Sequence, residues 1–150
     1  MQFSADTNED KFGKITFQND VIIYTFGKDE LMRFSFSDMV VLGEMTLGDN
    51  TSFLVFVSKK GKHHSVPCHH TSNIIELIVY LSNKLNIKFA PSLTASEPDS
   101  RVIYPPDLAG KRLFYFFTDG PPGKIRISES GIGLRFILRD EIKNYKPGKK

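Results

Sequence analysis

Tryptophan is absent, and cysteine occurs once, at Cys68. A single thiol cannot close an internal disulfide, so packing must hold the fold and nothing points to an oxidising compartment. Long apolar runs are also missing. The longest, such as Phe53 to Val57 and Leu113 to Phe117, are strand-sized and far short of the ~20 residues that cross a bilayer as a helix. Met1 to Asp10 is polar and acidic, without the basic start and apolar stretch of a secretory signal. The expectation is therefore a cytoplasmic protein with no transmembrane segment. No phosphate-binding glycine loop, HExxH or GxSxG occurs, and Gly131-Ile-Gly133 lacks the third glycine of a dinucleotide loop. No cofactor is implied, and no catalytic residue stands out.

What is present is an ordinary globular composition: 150 residues, 40% hydrophobic and 25% charged, with thirteen phenylalanines to build a core. The net charge of +3 is unevenly spread. Residues 1–110 hold ten Lys/Arg and thirteen Asp/Glu, a balance of −3, whereas residues 111–150 hold ten and four, a balance of +6. A C-terminal basic excess is either a solvated face or an attractor for an anionic partner.

Most of the chain has the period of extended strands. Lys14 to Phe17 and Val21 to Phe26 flank the turn Gln18-Asn19-Asp20 and read as a hairpin. Leu31 to Phe36 alternates as a half-buried strand, and Met39 to Leu42 follows the break at Ser37-Asp38. Ser52 to Val57 is apolar on both faces, so it belongs at the centre of a sheet or under two covers. Lys59-Lys-Gly-Lys62 turns the chain into His63 to Pro67. One helix is expected from about Ser72 to Lys84. Ile74, Ile78, Leu81 and Leu85 recur at helical spacing, Asn73 and Glu76 fit a capping box, and Asn86 fits a stop. The predicted fold class is α+β, mostly β: antiparallel strands in a roll or partly open barrel, one amphipathic helix and a C-terminal hairpin extension.

These elements divide the chain into five parts. Residues 1–12 form a disordered start, 13–89 a β-rich domain with its closing helix, and 90–110 a Pro/Ser-rich connector. Residues 111–142 form a three-stranded β extension that includes Lys124 to Ser128 and either continues the domain's sheet or pairs with a second subunit, and 143–150 a basic tail.

Within residues 13–86, Arg33-Phe-Ser-Phe-Ser-Asp38-Met-Val-Val leads to Phe53-Leu-Val-Phe-Val, then Lys60-Gly-Lys, Ser65-Val-Pro and Ile74-Ile-Glu-Leu-Ile-Val-Tyr-Leu81. This order resembles that of bacterial pleckstrin-homology-like domains. The resemblance implies such a roll and a role in protein interaction or assembly. Lipid-binding members of that superfold carry basic residues around the first hairpin. Here that turn is Gln18-Asn19-Asp20, with only Lys14 and Lys28 nearby, so the pattern is not met.

Two stretches carry candidate chemistry. All four histidines fall in His63-His64-Ser-Val-Pro-Cys68-His69-His70, and imidazole with thiolate suits Zn²⁺. His63, His64, Cys68 and His70 are the candidate ligands. Alternation along a strand opposes them, because it puts His64, Val66 and Cys68 on one face and His63 and Ser65 on the other. The second stretch is the C-terminal hairpin, where Lys124 and Arg126 share one face of their strand and Arg135 and Arg139 one face of the partner strand, giving a sheet with one basic and one apolar side; these four could bind phosphates of nucleic acid or of acidic lipid headgroups. Tyr115 and Phe117 could offer stacking surfaces, but Leu113 to Phe117 reads rather as core. The leading expectation is nevertheless a non-enzymatic interaction module, with a protein partner or self-association, motivated by the double-faced strands and the long connector.

Overall fold

Short runs of alternating Ile, Val, Phe and Tyr cannot bury both faces as single strands, so they pair into antiparallel sheets. The computed structural model describes residues 12–48, 51–91, 93, 98–118 and 134–146. The predicted strands at 124–128 and the extreme termini lie outside the described residues. Strands β1 (Gly13–Gln18), β2 (Val21–Phe26) and β3 (Asp29–Ser35) form a three-stranded meander in that order. A 3-10 turn, Phe36–Asp38, leads into β4 (Met39–Thr46), followed by β5 (Ser52–Ser58) and β6 (His63–Pro67). With β7 (Asp99–Tyr104) they make a four-stranded sheet ordered β6-β5-β4-β7. Strands β8 (Phe114–Thr118) and β9 (Leu134–Leu138) pair with each other. Two helices, α1 (Ile74–Leu85) and the single-turn α2 (Asp140–Lys143), complete the described fold. The class is α+β and mostly β, and the described sheets do not close into a barrel.

The four-stranded sheet is the middle layer. On one face Leu42, Leu54, Phe56 and Val66 join Ile15, Ile22, Tyr24 and Phe34 of the meander and Leu77 and Leu81 of α1. On the other face Val41, Met45, Val55, Val57 and Val102 pack with Leu113 and Phe114, Leu138 of β9 and Ile142 of α2. Ser52 to Val57 is thus covered on both sides, as its composition demands. Its residues Leu54 to Val57 are 0% exposed.

Three expectations change. The stretch 90–110 is not a plain connector, because Asp99–Tyr104 adds to the free edge of β4. Val102 and the small Ser100 supply the inward face that a Pro- and Ser-rich composition concealed. The described parts of 111–142 do not continue the four-stranded sheet: β8 and β9 pair with each other, and Leu113, Phe114, Leu138 and Ile142 pack on its second face. Asn73 does not close a capping box. Its amide faces β1 instead: the Ile15 N–H donates to Asn73 Oδ1 (2.8 Å), and Asn73 Nδ2 donates to the Ile15 carbonyl (2.8 Å). The side chain thereby serves as a missing strand partner at a sheet edge. The helix stop occurs as expected, with Asn86 in the left-handed region at φ 55°.

Gly43 lies where β4 passes under the roof. A Cβ there would meet the Leu113 side chain and stand 2.8 Å from the Arg101 carbonyl oxygen. Gly43→Ala is therefore expected to lower unfolding free energy by about 1–3 kcal/mol, read from urea midpoints. A midpoint equal to that of the parent would refute this tight contact.

Candidate functional site

Strand β6 carries the histidine stretch, and its pairing to β5 fixes where each ring points. His64 lies opposite Phe56 and His63 opposite Val57. The His64 ring stands 5.1 Å from Phe34, on the meander side. The His63 ring stands 5.0 Å from Phe114 and 5.9 Å from Phe136, under the β8–β9 roof. Cys68 packs at the margin of the first core, and His69 and His70 are exposed beyond the strand. The strand's alternation therefore separates His63 from His64 and Cys68, and His70 lies beyond the strand's end. Among the described residues no group of three or more His, Cys, Asp or Glu gathers around a point. The metal set considered from sequence is not brought together.

Burial sets the chemistry of these side chains. It pushes the Cys68 thiol up to about 11, against a weaker opposing hydrogen bond from Ser52, with the Glu44 carboxylate adding to the rise. Such a thiol stays protonated at neutral pH, the reverse of what a nucleophile needs. Desolvation also lowers both histidines, with His64 adding to the effect at His63 and Lys62 at His64.

The basic hairpin is described only in part. Lys124 and Arg126 lie outside the described residues, as does the Arg135 side chain. The Arg139 guanidinium lies 4.2 Å above the Tyr115 ring, a cation–π contact, and its buried Nε has no hydrogen-bond partner among the described residues. Alternation turns Phe114, Phe116, Phe136 and Leu138 toward the sheet. It leaves Tyr115, Phe117 and Ile137 outside, at 42%, 37% and 54% exposure. Tyr115 and Phe117 are thus surface residues rather than core, and Tyr115 sits directly opposite Ile137 in the register.

One pair escaped the sequence reading. Glu44 is 1% exposed, and its carboxylate accepts Arg101 Nε at 2.7 Å and the Leu93 N–H at 3.0 Å. It borders a cleft of about 260 Å³ lined also by Phe89, Ala90, Ile103 and Gly110. The available signal was a carboxylate inside the apolar run Met39 to Met45, where an unpaired charge would be costly. Arg101 carried no signal while its segment read as a connector.

No helix among the described residues is long and apolar enough to cross a membrane. Two outcomes follow from the titrations. Because folding lowers both histidine pKa values below the ordinary 6.5, the unfolded chain binds more protons in that window. Stability should be complete above pH ~6.5 and fall as the pH drops below it. Urea midpoints for the parent and for His63→Gln with His64→Gln would show it, and an equal acid loss in the double variant would reject the assignment. Cys68 should alkylate about 100-fold more slowly than an ordinary thiol, given about 11 against 9.0. Labelling at the ordinary rate would contradict its burial.

No family model, curated protein or solved structure matches the chain.

Proposed function

We propose that this protein is a non-enzymatic interaction and assembly module that pairs with a second copy of itself through the outer face of β8–β9. The observation that carries the reading is the exposed cluster of Tyr115, Phe117 and Ile137 beside the stacked Arg139. Aromatic residues and arginine are the types enriched where proteins meet. The face also suits itself. A two-fold axis near Tyr115 and Ile137 lets each copy set apolar side chains against the other's, with the arginines toward the rim.

The sequence features that suggest self-association are satisfied within one chain. The double-faced strands are covered within one chain, and the supposed connector is a strand, so neither needs a second subunit. The outer face of β8–β9 is the surface that favours a second copy. The protonated Cys68 supports a role without thiol chemistry. A pleckstrin-homology-like roll and a cytoplasmic location belong to the same proposal, the first supported by strand order and closing helix, the second by the lone cysteine. The alternative, anion binding at Lys124, Arg126, Arg135 and Arg139, is less favoured because Arg139 is turned onto Tyr115.

The face is small, so the dimer should be weak and concentration-dependent. Sedimentation velocity over a wide concentration range should show monomer giving way to dimer. Ile137→Lys should hold the protein monomeric with its circular dichroism spectrum unchanged. A monomer at every concentration, or a dimer indifferent to Ile137→Lys, would sink the proposal.

A further inference from the structure

A second surface lies at the end of the sheet, where the β5–β6 turn runs into the histidine stretch. The β5–β6 turn holds Lys59, Lys60 and Lys62 around Gly61. It is a built turn. The Ser58 hydroxyl accepts the Lys60 and Lys62 N–H groups, both at 3.3 Å, and the Gly61 N–H donates to the Ser58 carbonyl at 2.9 Å. Gly61 has φ +78°, in the region that favours glycine. The chain's C-terminal part arrives at the same place. A Cβ on Gly61 would stand 3.0 Å from Lys143 Cγ and 3.2 Å from the Lys143 carbonyl oxygen, so the side chain of Lys143 lies across the turn. Lys146 follows three residues later.

Two lysine-bearing segments, 81 residues apart between Lys62 and Lys143, are thus brought edge to edge. All five lysines are exposed, and none forms an ion pair among the described residues. Residues 59–62 carry three positive charges and no negative one. The described residues of the second segment beyond Arg139, 140–146, carry two positive and two negative charges, so the two segments together reach 3 + 2 − 2 = +3.

We propose that this face binds the phosphate backbone of duplex DNA, with Lys59, Lys60, Lys62, Lys143 and Lys146 each meeting phosphate. Lysine is a point charge that neutralises phosphate without reading bases, so the binding is independent of sequence. The composition of the face separates duplex from other polyanions. Single strands need exposed rings for stacking, and the one ring on these segments, Tyr145, is half-buried in the second core. Stable membrane anchoring takes an apolar group as well as charge, and no large exposed hydrophobic residue lies on either segment.

The experiment is fluorescence anisotropy of the full-length protein with two labelled duplexes of unrelated sequence, titrated at several salt concentrations. Five phosphate contacts give a slope of log K against log salt of about −4.5. K59Q/K60Q/K62Q should make the slope shallower by about 2.7 and K143Q/K146Q by about 1.8, since each lost contact removes about 0.9. Replacing the same lysines by arginine should keep the slope near its parent value. Equal affinity for both duplexes, with both variant sets weakened, supports the proposal. It is overturned by no binding, by binding that either variant set leaves unchanged, by tighter binding to single strands, or by binding to anionic vesicles without binding to duplex. A monomeric protein in sedimentation leaves this test unaffected, so the two proposals fail separately.

Discussion

The constraint on which the structure turns is that β4 and β5 are apolar on both faces. Leu42, Leu54 and Phe56 point one way, Val41, Val55 and Val57 the other, and neither set can be left in water. Burying one large aliphatic or aromatic side chain is worth roughly 1.5–3 kcal/mol, so six of them outweigh any surface interaction in the molecule. Two covers follow. The meander and α1 supply the first, β8, β9 and α2 the second. The layered arrangement is the consequence of one doubly apolar pair of strands.

The two covers explain why candidate groups lie where they do. A strand in a middle layer sends neighbouring side chains into different cores, so His63 ends under Phe114 and His64 beside Phe34. A cluster contiguous in sequence is thereby divided by a sheet. The reverse happens at the sheet's end. There the β5–β6 turn emerges between the layers, and the chain returning through α2 packs on it at Gly61. Groups distant in sequence converge because α2, at the end of the second cover, packs on the end of the middle sheet. At the opposite cover, Asp20 in the first hairpin turn accepts the Tyr80 hydroxyl and Lys84 ammonium, both at 2.7 Å, tying the meander to α1. Those hydrogen bonds, Lys84's first, hold the Asp20 carboxyl below its ordinary range.

Much of the first half was legible. The strand Val21 to Phe26, the strand His63 to Pro67 and the end of α1 at Asn86 occur as read, because each depends on local alternation, turn chemistry or a left-handed stop. Alternation marks a strand from Leu31 to Phe36, whereas β3 runs from Asp29 to Ser35. Phe36 enters a 3-10 turn, and its N–H donates to the Asp20 carbonyl. The separation of the histidines was also legible from period alone. Less visible were the roles of Asn73 and of Glu44. Asn73 has the sequence setting of a helix cap, yet the exposed edge of β1 recruits its amide. Glu44 interrupts an apolar strand for a reason that resides in Arg101 and Leu93, each about fifty residues away.

The sequence by itself determined which residues alternate, where turns must fall, and that one stretch needs cover on both sides, since these follow from side-chain direction along a few residues of backbone. Only the tertiary structure decided which segments provide the covers, that Asp99 to Tyr104 completes a sheet edge, and that Lys143 comes to rest on Gly61. The physical reason is that edge pairing and layer packing are settled between segments competing for the same apolar surface. That competition is decided by fit across space, which local pattern does not encode.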